Sequence, residues 1–209
     1  NGTIRANQPV ALLRDDGSPV LLDFGSARQF LHRTHTMTIL VARGYAQIGL
    51  RRPEDAQKSF AEAQQVAPNA VEPLLADARL SVARADLATA EARIERALVA
   101  QPKSSEALLA KSQLLRLKND AQGAISVLDE LIRDQPSVMQ ARLDRASLAL
   151  AVGKNDVAKG DIDTVLKGTP GNIQGLYLRA VMSAQAKNFK AADADLERIA
   201  PFLARIQRA

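Results

Sequence analysis

The chain has no cysteine and no tryptophan, and aromatic residues make up only 3% of it. Without thiols, disulfides, cysteine-ligated metal centres and cysteine nucleophiles are excluded. The compartment stays open, because proteins of oxidising compartments need not carry disulfides. With few aromatics there is little on which nucleic-acid bases could stack. Apolar runs are only a few residues long, so no segment reads as a membrane-spanning helix. No signal peptide is visible, and the chain opens on Asn1 rather than Met, which leaves room for an upstream segment. The formal charge is +5. Both signs are interspersed along the sequence, as on a solvated helical surface, and no dense basic block marks a nucleic-acid footprint.

What the chain does have is a period. Ala56, Ala90, Ala124, Ala158 and Ala192 follow one another at 34-residue steps. Pro68, Pro102, Pro136 and Pro170 keep the same step, as do the small residues Gly44, Ala78, Ser112, Ala146 and Ala180. A large apolar residue returns in phase at Phe60, Ile94, Leu128, Ile162 and Leu196. A fixed period of this length marks an array of identical supersecondary units. Within a unit apolar residues recur at three- and four-residue steps, as in Leu74, Leu75 and Ala78, then Leu87, Ala90, Ile94 and Ala97. Each unit is therefore two helices. The small residues let the helices approach closely, the large one fills the gap between units, and the proline ends the second helix.

This pattern resembles the tetratricopeptide repeat, with position 1 at Met37, Val71, Ser105, Met139 and Ile173. The resemblance covers about residues 37–209. It implies an all-α, right-handed α-solenoid of about five helix pairs: 37–70, 71–104, 105–138, 139–172 and a truncated 173–209. In the fifth repeat the proline, Pro201, falls early, and Phe202, Leu203 and Ile206 read as the start of a further first helix. Such an end is expected to self-associate. Polar residues at Asp86, Asn119-Asp120, Asn155-Asp156 and Asn188 are expected to cap the second helices, and Asn69 with Glu72 to form a capping box.

Residues 1–36 hold no echo of the period. Val10–Arg14 and Pro19–Asp23 are apolar runs joined by Asp15-Asp16-Gly17-Ser18, a hairpin signal. Residues of about 7–48, with Asp23-Phe24-Gly25 and Arg33-Thr34-His35-Thr36-Met37-Thr38, resemble the DFG and activation segment of a bacterial Ser/Thr protein kinase. That resemblance implies Mg²⁺ binding by Asp23 in a working kinase. The matching catalytic-loop positions hold Val10 and Arg5, and there is no Gly-rich loop or strand lysine. The segment therefore reads as a kinase-like remnant, and no catalytic, cofactor or metal site is expected. From Met37 to Ile48 the helical reading takes over. His32 and His35, the only histidines, lack the partners of a metal centre.

Function in such an array lies on the face lined by the first helices. The resemblance puts positions 5, 9 and 12 on it: Val41, Leu75, Leu109, Leu143 and Tyr177; Tyr45, Arg79, Gln113, Ser147 and Val181; and Arg116. A line of apolar residues beside a varied one suits an extended peptide or partner helix; the same apolar line also suits core. The carboxylate clamp of some family members is absent, since position 2 holds Thr38, Glu72, Glu106, Gln140 and Gln174. Position 7 is charged throughout: Arg43, Asp77, Lys111, Arg145 and Arg179. This is either a ladder that reads acidic partners or a row of aliphatic stems with solvated heads.

The later repeats, with Ala141–Gly153, Asp161–Lys167 and Gly175–Ala180, look like the tetratricopeptide lipoprotein of the PEP-CTERM/exosortase system of Gram-negative bacteria. That implies a periplasmic or envelope location beside exopolysaccharide-linked protein sorting; without it the expectation is cytoplasmic. The expected function is a non-enzymatic scaffold that binds a protein or peptide, with neither cofactor nor nucleic acid. The alternative is a degenerate Ser/Thr kinase fragment with a repeat tail.

Overall fold

In a computed structural model, residues 10–13, 19–22 and 24–206 are described. The chain divides into two compact units, Asn1–Pro102 and Lys103–Ala209.

The first unit begins with β1 (Val10–Leu13) and β2 (Pro19–Leu22), antiparallel with Val10 opposite Leu22 and Leu13 opposite Pro19. Four helices follow: α1 (Phe24–Gly49), α2 (Pro53–Val66), α3 (Val71–Ala83) and α4 (Leu87–Ala100). Each packs on the next, and α1 also touches α3. α1 does not wait for the repeat phase at Met37. It starts at Phe24, so residues 33–38, read as a kinase-like activation loop, are helix. Asp23, the expected kinase-like ligand, lies outside the described residues.

The second unit holds α5 (Ser105–Leu117), α6 (Ala121–Asp134), α7 (Met139–Ala151), α8 (Asn155–Gly168), α9 (Ile173–Gln185) and α10 (Phe189–Ile206). Here too each helix packs on the next, and α7 touches α9. The second helices α2, α4, α6 and α8 end just short of Pro68, Pro102, Pro136 and Pro170. Their in-phase alanines Ala56, Ala90, Ala124 and Ala158 are wholly buried. Pro201 departs from the expected stop, because α10 runs through it to Ile206. The carbonyl freed by the missing N–H belongs to Glu197, an exposed residue, where water can satisfy it.

The turn inside each pair is built the same way five times. Arg51, Ala85, Asn119, Gly153 and Lys187, at the 34-residue step, all have positive φ, from 57° to 76°. The next N–H bonds back to the first helix: Arg52 to Gln47, Asp86 to Ser81, Asp120 to Leu115, Lys154 to Ala149 and Asn188 to Ser183, at 2.8–2.9 Å. This is the Schellman closure, which satisfies carbonyls the helix end leaves free. It also fixes which residue caps the second helix. Asp86, Asp120 and Asn188 accept from the N–H of Thr89, Gly123 and Ala191. In the fourth repeat the cap falls on Lys154, one residue before the expected Asn155, and no side chain serves. Likewise α3 is capped by Ala70, so Asn69 and Glu72 form no capping box. Ser104 and Asn172, unforeseen, cap α5 and α9.

Candidate partner-binding face

Position 5 goes largely to the core. Val41, Leu75 and Leu143 are buried, so these three of the expected groove residues cannot touch a partner. Leu109 is half-buried against the cluster around Leu128 and Leu131. Tyr177 alone of this line is well exposed, at 52%. An apolar residue on a first helix turns to the neighbouring helix when one lies within reach, because that removes it from water.

Position 9 faces outward. In the first unit Tyr45 and Arg79 are both exposed, and Arg79 Nη1 donates to Tyr45 Oη at 3.0 Å across one repeat step. The Tyr45 ring stands edge-on to Phe60, with centroids 5.6 Å apart. Gln113 and Ser147 are exposed too, while Val181 packs partly on the core of the second unit.

In the second unit a recess of about 270 Å³ gathers Ser112, Gln113 and Arg116 from α5, Asp144 and Ser147 from α7, and Gln174 from α9. It unites three expected residues, Gln113, Arg116 and Ser147, and leaves out Leu109, Tyr177 and Val181. Asp144 Oδ1 accepts from Gln140 Nε2 at 2.8 Å, and its Oδ2 is buried with no partner among the described residues. Amide, hydroxyl and guanidinium groups in one hollow suit the carbonyls, N–H groups and polar side chains of an extended chain.

The charged position 7 is not a free ladder: its described side chains are paired, from half-exposed Arg43 to buried Asp77. Arg43 Nε donates to Ser59 Oγ at 2.8 Å and Nη2 to Glu62 at 2.6 Å. Arg93 Nε donates to Asp77 at 2.6 Å. Arg145 grips Asp161 with Nε and Nη2, both at 2.7 Å, and reaches Asp129 at 2.6 Å. Arg179 holds Asp195 in the same fork at 2.7 and 2.6 Å. Lys111 is not free either. Hydrogen bonds to Asp161, with Asp129 adding, push the Arg145 guanidinium above its ordinary value; Asp195 does so for Arg179. Position 23, which supplies Ser59, Arg93, Asp161 and Asp195, was missed from the sequence. The signal was there in four of the five repeats, as polar residues sixteen positions after position 7; the third repeat holds Val127 instead.

His32 and His35 are exposed on α1. Among the described residues no three acidic or histidine side chains gather as metal ligands, and no helix is long and apolar enough to cross a membrane.

Paired helices on a 34-residue step, with Schellman turns and a buried alanine in each second helix, define a helical-repeat protein. The family model described as tetratricopeptide repeat matches residues 75–138 and 143–204, and the chain belongs to that family. No curated protein matches it in sequence. Solved structures share its fold. A tetratricopeptide repeat protein from Parabacteroides merdae superposes with a TM-score of 0.65 at 22% identity, covering 78% of this chain. The chain spans 63% of that protein's length. Pseudomonas aeruginosa pilF gives a TM-score of 0.72 at 15% identity, covering 81% of this chain and 78% of its own. YrrB, described as a TPR protein with an unusual peptide-binding site, gives 0.56 at 16%, covering 82% and 89%. The fold is that of a protein–protein interaction scaffold.

Proposed function

We propose that the chain is a non-enzymatic scaffold whose second unit binds an extended peptide segment of a partner in the recess between α5 and α7. The observation that carries this is the convergence of Gln113, Arg116, Ser147 and Gln174 on one hollow from three first helices. Groups so placed can pair with a peptide main chain at successive residues. A protein of the same fold, YrrB, is described as having a peptide-binding site.

The test is selection of a displayed random-peptide library on the purified chain, followed by anisotropy titration of the enriched peptides. Arg116→Glu and Ser147→Trp, both at exposed positions, should each weaken binding by about tenfold or more, a loss near 1.4 kcal/mol. Failure to enrich any peptide, or unchanged affinity in both variants, rules the recess out. The lipoprotein resemblance supports an envelope location for this activity. Osmotic-shock fractionation of the producing cell checks that part separately, and a cytosolic protein would remove it.

A further inference from the structure

One acceptor in the recess between α5 and α7 has no donor. Asp144 Oδ1 takes the Gln140 amide at 2.8 Å, while Oδ2 is buried and accepts from no group among the described residues. The cations on the same helix are committed elsewhere. Arg142 and Arg145 both turn to Asp161, at 3.2 and 2.7 Å. Ser112, which shares the recess, donates to the Leu109 carbonyl at 2.8 Å. Arg116 lines the same hollow, but it is exposed and gives Oδ2 no donor.

A buried carboxylate oxygen without a donor is costly, and few native chains keep one without a use. A main-chain N–H from a bound peptide would fill the hydrogen bond and leave the negative charge uncompensated. A cationic side chain supplies both the donor and the opposite charge. The walls suit the same occupant. Leu148, one turn along α7 from Asp144, is buried and lines the recess, so it offers an apolar surface to an aliphatic stem. Gln113, Arg116, Ser147 and Gln174 are all exposed and surround these two as a polar rim.

We propose, on the reading that this recess binds a peptide, that it selects peptides by a lysine or arginine side chain. The charged head sits on Asp144 Oδ2, the stem lies along Leu148, and the rim holds the main chain. Arg116 opposes the incoming cation, but its head is solvated and screened. The attraction of the buried oxygen acts through a drier medium and is the stronger of the two.

Two peptide libraries, displayed inside a loop so that no peptide has a free amino end, test this on the full chain. One is complete and the other lacks lysine and arginine. The complete library should enrich peptides that carry a basic residue and that the Ser147→Trp chain rejects. The restricted library should enrich none that Ser147→Trp rejects. In an enriched peptide, norleucine for lysine or citrulline for arginine removes the charge and keeps most of the shape. That change should weaken binding to wild type about ten- to hundredfold. Asp144→Asn keeps an acceptor for Gln140, and once shown to be folded by circular dichroism it should bind the charged and uncharged peptides alike. A restricted library that enriches Ser147→Trp-sensitive peptides as readily overturns the selection by charge and leaves peptide binding standing. So does an Asp144→Asn chain that still discriminates the two peptides as wild type does. If neither library enriches, peptide binding and the selection fall together.

Discussion

Asp77 and Arg93 meet at 2.6 Å in the two positions that Arg145 and Asp161 occupy two repeats later, with the signs exchanged. The pair joins the first and second helix of a repeat, and Asp77, like Asp161, is buried. Geometry at this rung therefore asks for one cation and one anion and does not prescribe which helix carries which. Removing one partner of a buried pair leaves the other uncompensated, whereas exchanging both preserves the pairing.

The exchange can be made deliberately. Asp77→Arg alone puts two cations together and should cost about 3–5 kcal/mol. Adding Arg93→Asp should restore more than half of that loss, since it reproduces the arrangement of Arg179 and Asp195. Urea unfolding of the two singles and the double gives the coupling directly. A double variant no more stable than Asp77→Arg would show that the sign at each position matters after all.

Gly44 and Phe60 form a second matched pair. A Cβ at Gly44 would lie inside the van der Waals envelope of the Phe60 ring. In the fourth repeat the equivalent residues are Ala146 and Ile162, which share a core cluster. Gly44→Ala should therefore cost about 1–3 kcal/mol by overpacking. Combining it with Phe60→Ile, which copies the fourth repeat, should recover part of the loss in thermal melts.

Of the five left-handed turn residues only Gly153 is a glycine. For an L residue this conformation costs about 1 kcal/mol, which glycine avoids. Ala85, with φ 60°, has no side-chain function to lose. Ala85→Gly should stabilise the chain by about 0.5–1 kcal/mol, and Gly153→Ala should destabilise it by a similar amount, as read from urea midpoints.

Acid should loosen the array through its caps. The side chain and N–H of Thr89 hold the Asp86 carboxyl below its ordinary value, and its own backbone N–H does the same for Glu106. Unfolding returns both to the ordinary range near 4. Between the folded and unfolded values the unfolded chain binds more protons, so stability rises with pH there. The contribution is intact above that ordinary range and is lost as pH falls through the folded values. Asp86→Asn, which keeps the cap but cannot titrate, should flatten the dependence of the urea midpoint on pH below about 5.

The helix pairs and their phase were legible because buried alanines and terminating prolines recur at fixed steps, and each has a single structural use. Other features were not. Val41, Leu75 and Leu143 read equally well as groove or core, since an apolar side chain at a given helical position does not say whether a neighbour lies over it. Gln113, Arg116 and Ser147 are exposed and line one recess, but Asp144 and Gln174 join them through packing of three helices that no local pattern announces. The early start of α1 was hidden because Phe24–Thr36 carries no repeat signal and resembles a loop-bearing kinase segment. Asn155 was mistaken for a cap because its type suits the role. The Schellman turn sets the position instead, and Lys154 stands in it.

The pairing of Tyr45 with Phe60 gives the protein a built-in optical reporter. The chain has no tryptophan and two tyrosines, one in each unit. Tyr45 is held by a neighbouring ring and by Arg79, so its emission changes when the first unit opens, whereas half-exposed Tyr177 already sees water. Tyrosine fluorescence thus follows the first unit, while far-ultraviolet dichroism follows every helix. Melting curves from the two signals will coincide if the units unfold as one and separate if they do not, without a label or a mutation.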